Sequence, residues 1–226
     1  MDNTERQHII NNLADVRRRI ADACIRSGRR LSAVRLIAVA KNFPAPAVRA
    51  AIESGAADLG ENRVQEALAK YPLLADLRAG FRLHFIGHLQ SNKVKEALKL
   101  FDIIHSVDSV RLAEKLNAGA QSRLPVFMEV NLTGEQTKYG FKAEELDEAV
   151  KGIMALPNLE VLGLMTIAPL VSNSEEVRLV FRSLRQLNER FDFKELSMGM
   201  TDDFEVAVEE GATMLRIGRA IFGERS

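Results

Sequence analysis

Eight short apolar runs recur along this chain, and the stretches between them carry apolar residues at helical spacing. The runs are RLIAVAK (35–41), ADLGEN (57–62), RLHFIG (82–87), DIIHSV (102–107), PVFMEVN (125–131), EVLGLMT (160–166), ELSMG (195–199) and TMLRIG (213–218). Between them lie PAVRAAIES, RVQEALAKYPLLADL, SNKVKEALKL, VRLAEKLNAG, AEELDEAVKGIMAL, EEVRLVFRSLRQLNERF, DDFEVAVEEG and a short RAIFG, all rich in helix formers. Strands that alternate with amphipathic helices form parallel β-α-β units. Eight of them, with no glycine-rich nucleotide fingerprint after the first, predict a closed (β/α)8 TIM barrel. An open doubly wound sheet is the competing arrangement. Such barrels typically need about 250 residues; at 226 the loops must be lean, with little chain left for a second domain.

Before the first run, Ile9, Leu13, Val16, Ile20 and Cys24 recur at three- and four-residue steps. That spacing predicts an extra N-terminal helix packed on the barrel over residues 1–30, with Gly28 ending it. Residues 1–226 are therefore expected to make one barrel domain. Arg17, Arg18, Arg19, Arg29 and Arg30 form a local basic cluster, read as a solvated helix face with a weak anionic docking patch as the alternative. Lysine plus arginine equals aspartate plus glutamate at 31 each, which argues against a dedicated nucleic-acid binder. Cys24 is the one cysteine, so no disulfide forms within the chain and no cysteine-rich metal site is expected. The charged amino terminus lacks a signal-peptide core, and no apolar run approaches a membrane span. A cytoplasmic protein is the expectation.

Polar residues gather at the ends of the apolar runs, where a barrel of this kind builds its site. Lys41 ends the first run, Glu61 and Asn62 the second, Asn131 the fifth and Thr166 the sixth. The seventh leads through Ser197 into SMGMTDD, and the eighth carries Arg216 and then Gly218. Loops after strands seven and eight frequently hold a phosphate in these barrels, with glycine admitting the anion to the backbone. SMGMTDD alone also reads as a turn with an N-capping Thr201 or Asp202. Lys41 admits two readings as well: a solvated strand end, or an amine whose charged form is disfavoured at an apolar mouth and which attacks a carbonyl. An amine beside a phosphate site suits an aldehyde that bears a phosphate, and pyridoxal 5′-phosphate meets both demands. Arg216 pairs internally with Glu61 or Glu129, or else donates to the pyridine nitrogen and keeps it unprotonated.

LIAVAKNFP, DLGENRVQEA, LHFIGHLQSNK, FMEVNLTGEQTKYGF, LEVLGLMTIAP and ELSMGMTDDFEVAVEEGATMLRIGRAIFG together resemble the pyridoxal phosphate homeostasis protein family. Its members are single-domain relatives of the alanine racemase amino-terminal barrel, and the likeness runs from about residue 34 to 223. The resemblance implies that Lys41 forms the internal aldimine with pyridoxal phosphate, and that Asn62 and His84 line the pocket near the ring. Ser197 and Thr201, with backbone N–H groups of Gly218 and Arg219, match the phosphate cradle. Arg216 matches the arginine facing the pyridine nitrogen, and Lys138 a second lysine near the mouth. Arg219 stands where many relatives carry threonine, and Asn42 and Phe43 also depart from the usual pattern.

The implied function is to hold the cofactor on Lys41 and to take part in its intracellular homeostasis, with PLP-dependent apoenzymes as partners. The racemases add a second domain with a catalytic tyrosine; nothing of that kind follows Ser226, so no turnover is expected, and a monomer is. The alternatives are an amino-acid racemase or another weak PLP-dependent enzyme, and a phosphosugar aldolase or isomerase on the same barrel.

Overall fold

A computed structural model describes residues 1–135, 139–171 and 173–224. Lys138, matched above to a second lysine at the mouth, lies outside the described residues. In chain order the elements are α1 (Asn3–Arg26), β1 (Arg35–Val39), α2 (Ala45–Glu53), β2 (Asp58–Glu61), α3 (Val64–Lys70), β3 (Arg82–Phe85), α4 (Val94–Ala97), β4 (Ile103–Val107) and α5 (Val110–Gly119). There follow β5 (Leu124–Glu129), α6 (Leu146–Met154), β6 (Leu159–Met165), α7 (Arg178–Arg190), β7 (Glu195–Ser197), α8 (Phe204–Glu209), β8 (Met214–Ile217) and α9 (Arg219–Phe222). The eight strands of the described residues pair in parallel in sequence order and close into a barrel, β8 returning to β1. Each apolar run of the sequence supplies one strand.

Alternation along the strands divides the apolar residues into two layers. Ile37, Ile103, Phe127, Met165 and Met214 meet inside the barrel. The larger cluster fills the space between strands and helices, with Leu59, Leu83, Ile104, Leu164 and Leu215 from the strand backs. Two stretches read as single helices are shorter than expected. Pro72 has no N–H to donate, and α3 gives way at Tyr71 to a 3₁₀ segment, Tyr71–Gly80. Before α4 the chain runs through a 3₁₀ turn, Ser91–Lys93. These are the economies a short barrel requires.

Helix α1 begins with a capping box between Asp2 and Glu5, and Gly28 follows its end at φ +66°. Its buried face holds all five residues of the expected stripe and Ala23. It packs across α8, α9 and α2. Most of the basic cluster fastens this helix down. Arg17 donates to the carbonyls of Ser54 and Gly55, and Arg29 to those of Val208 and Ala212. Arg19 pairs with Glu205 at 2.8 Å while lying over the Phe204 ring. Arg18 pairs along its own helix with Asp15 and Asp22. Leu13, 1% exposed at the centre of this face, tests its weight. Leu13→Ala is expected to lower the unfolding free energy by about 3 kcal/mol, read from urea denaturation curves.

Candidate functional site

The seam where β8 meets β1 places the first predicted site residues together. Register pairs Ile37 with Arg216 and Ala38 with Ile217. The next step brings Val39 beside Gly218, so close that a Cβ on Gly218 would lie 3.1 Å from the Val39 carbonyl oxygen. The alternation that turns Ile37 inward continues to Val39 and reaches half-buried Lys41 at the rim. Ala40 still bonds Gly60 of β2, so the ladder runs to the residue before the lysine. Phe43 then stacks on Phe222 of α9 at 5.1 Å, joining the turn after β1 to the helix after β8.

Arg216 stands inside the barrel at 4% exposure. Its Nη1 donates to Ser197 Oγ at 2.6 Å and its Nη2 to the Thr166 carbonyl at 2.8 Å. Both acceptors are neutral, whereas the acids Asp203 and Glu129 act on it only through space. Burial draws its pKa down to about 10, opposed by those two acids, so the guanidinium stays charged at neutral pH.

A line of buried hydrogen bonds continues from that cation. Ser197 Oγ lies 2.8 Å from His105 Nδ1, His105 Nε2 lies 2.9 Å from His84 Nδ1, and His84 Nε2 lies 2.9 Å from Asp58 Oδ1. Burial holds His105 well below the ordinary imidazole range, helped by His84 and Arg216, so it is neutral. Arg216 can only donate to Ser197 and the ionised Asp58 can only accept from His84; between these ends the two imidazole tautomers set the direction of the bonds joining Ser197, His105 and His84. Asp58 receives Arg82 as well, at 2.8 Å, and its carboxyl stays below its usual value: its bonds and charge pairs with His84 and Arg82 outweigh the opposing burial.

Above this line, the loops after β7 and β8 are tied together. Gly199 takes φ +91°, and a Cβ there would come within 2.5 Å of the Ala207 Cβ, so only glycine fits. Ala220 N–H points at Thr201 Oγ1 at 3.4 Å, and the Arg219 guanidinium pairs with Asp202. Gly218 and Arg219 open α9, where backbone N–H groups lack helical acceptors.

The structure thus brings Lys41, Thr201, Arg216, Gly218 and Arg219 to one mouth. Asn62 follows β2, the strand on the other side of β1, and its Oδ1 is buried with no hydrogen-bond partner. Two expectations are corrected. Ser197 is fully buried and its hydroxyl is engaged by Arg216 and His105, so it supports the arginine from below instead of facing a phosphate. His84 is likewise interior, held between Asp58 and His105. Arg216 forms no direct pair with Glu61, which faces outward to Lys70 and Tyr71. Sequence reasoning missed His105 and treated Glu129 only as a partner for Arg216. Strand parity signals both: residues 103 and 127 face inward, and so do positions 105 and 129.

These residues fit a small phosphorylated aldehyde. An amide oxygen without a hydrogen-bond partner, a charged guanidinium and a glycine held against the backbone lie on the two strands that flank the one ending before Lys41, or just after them. Among the described residues, no group of side chains suited to a metal ion is found.

Comparison with known proteins points the same way. Residues 6–226 match the family described as alanine racemase, N-terminal domain. A pyridoxal phosphate homeostasis protein of Aquifex aeolicus is 44% identical over 222 residues, covering 94% of this chain and 96% of that protein. PipY of Synechococcus elongatus, solved with PLP bound, superposes with a TM-score of 0.83 at 38% identity, covering 95% of this chain and all of that one. A protein of unknown function from Bifidobacterium adolescentis reaches a TM-score of 0.91 at 35% identity, over 98% and 97% of the two chains.

Glu129 makes the mouth sensitive to pH. Burial and the neighbouring Asp108 push its pKa up to about 7, against the pull of Arg216. A carboxyl whose folded pKa exceeds its unfolded one adds stability when protonated, and that stability is lost as pH rises from about 4.5 to about 7. Glu129→Gln is expected to remove this component, on the order of 3 kcal/mol. Urea denaturation of the ligand-free protein at the two ends of that window measures it.

Proposed function

The chain belongs to the pyridoxal phosphate homeostasis protein family, and we propose that it binds pyridoxal 5′-phosphate at the barrel mouth, covalently through Lys41. The observation that carries this reading is the β1–β8 seam, which sets an amine, an anion-accepting backbone and a buried cation on neighbouring strands. Pyridoxal phosphate, when bound, supplies an aldehyde for the amine, a phosphate and a pyridine nitrogen.

The residues divide the work. Lys41 supplies the nucleophilic nitrogen. Thr201, with the backbone N–H groups of Gly218 and Arg219, receives the phosphate, and Asp202 keeps the Arg219 side chain turned aside. Arg216 meets the pyridine nitrogen; a guanidinium can only donate, so it keeps that nitrogen unprotonated and the ring a weak electron sink. Asn62 offers its unpartnered oxygen to the ring side. Ser197 acts through Arg216.

Holding and handing on the cofactor suits this arrangement better than turnover. The names of the relatives carry no reaction, and the electron sink is weak. We read residues 1–226 as one binding unit that works as a cytoplasmic monomer and supplies PLP-dependent apoenzymes. Purified protein loaded with pyridoxal phosphate is expected to be yellow, and borohydride to fix the label on the peptide containing Lys41. Lys41→Ala should lose both colour and label. A full label on a different lysine, with colour retained in Lys41→Ala, would sink the assignment.

A further inference from the structure

The peptide groups on both sides of Lys41 are held from outside the barrel wall by charges that the cofactor reading leaves unused. Lys70, at the end of α3, is 7% exposed. Its Nζ donates to the Ala40 carbonyl at 2.8 Å, to Glu61 Oε1 at 2.7 Å and to Glu66 Oε1 at 2.9 Å. Those three acceptors account for every proton of an ammonium group. Glu66 Oε1 also accepts from the Asn42 N–H at 2.5 Å. Ala40 C=O precedes Lys41 and Asn42 N–H follows it, so both flanking backbone groups end on one cluster.

The backbone needs that hold. Asn42 takes φ +66°, a conformation that costs any residue with a Cβ and that asparagine tolerates better than most. The turn is closed by Phe43 N–H donating to the same Ala40 carbonyl at 3.1 Å. Glu61 comes from β2, Glu66 and Lys70 from one face of α3 four residues apart, and Ala40 from the end of β1. Burying the Lys70 ammonium and the Glu61 carboxylate brings a desolvation cost that apolar packing would avoid. Geometry at the lysine is what the cluster supplies in return.

We propose that Lys70, Glu66 and Glu61 are positioning residues that fix the turn carrying Lys41 and so aim its amine into the mouth beside β8. The proposal rests on the cofactor reading of Lys41 and deepens it by naming what orients that side chain.

The test begins without cofactor. Ligand-free protein is methylated with formaldehyde and cyanoborohydride between about pH 7 and about pH 10, and each lysine peptide is followed by mass. Glu66→Ala, which releases the Asn42 N–H, and Lys70→Met are expected to change the rate at Lys41, relative to the exposed lysines, by about fivefold. Binding of pyridoxal phosphate, titrated by its visible absorbance, should weaken about tenfold in the same variants. Glu66→Gln keeps an oxygen for Asn42 and should stay near wild type in both measurements, a rescue that lost packing alone would not predict. Glu66→Ala combined with Asn42→Gly removes the need for a strained residue; it is expected to keep the fold, checked by thermal melting, and still to show the altered rate.

Wild-type labelling and binding in that double variant would overturn the proposal, whatever Lys70→Met does to stability. Wild-type binding in Lys41→Ala would instead overturn the cofactor reading. The methylation rate at Lys41 would then still decide whether the cluster holds it.

Discussion

A single buried guanidinium organises the inside of this barrel. Arg216 sits where neighbouring interior positions carry Ile37 and Met214, and a charge there is tolerable only if its donors are met and its field is answered. Ser197 and the Thr166 carbonyl meet the donors. The field is answered at a distance by Glu129 and Asp203, and through the oriented line of Ser197, His105 and His84 by Asp58. The line begins on an obligate donor, Arg216, and ends on an acceptor, Asp58, so it is polarised from one end to the other. Remove a link and the groups on either side of it each lose a buried hydrogen bond.

The barrel closes in strand order, so β1 and β8 lie side by side although their sequences stand at opposite ends of the strand series. Lys41 thereby gains Gly218 and Arg216 as neighbours without any long loop. The two glycine turns are tied by Thr201 to Ala220 and by Asp202 to Arg219, and α9 is anchored on its far side by Asn12, which donates to the Ile221 carbonyl. Lean connections suffice because each one is pinned at both ends.

Much of this could be read from the residues in order. Short apolar runs alternating with stretches of helical spacing announced the barrel, and the Ile9 to Cys24 stripe announced α1. Strand-end position singled out Lys41, Asn62, Arg216 and Gly218. What escaped were relations made only by closure. His84 and His105 each look like one polar residue inside an apolar strand; that they touch depends on β3 lying beside β4. Ser197 seemed to belong to the turn after β7, yet it closes the interior, because β7 runs through residue 197 before the chain turns. Lys70 drew no notice among the helix formers around it. It is buried at the end of α3, where the chain enters the 3₁₀ segment and Tyr71 donates to the same Glu61 oxygen as Lys70. Arg219 finds Asp202, a pairing across two loops that spacing alone does not reveal.

The seam between the first strand and the last has a temporal side. A nascent chain that has emerged only as far as β7 already contains Lys41 and Asn62, but it has neither the interior cation nor the second glycine turn. Such a chain therefore holds one side of the seam alone. Once the last strand docks, anything bridging the seam acts as a clasp on closure itself.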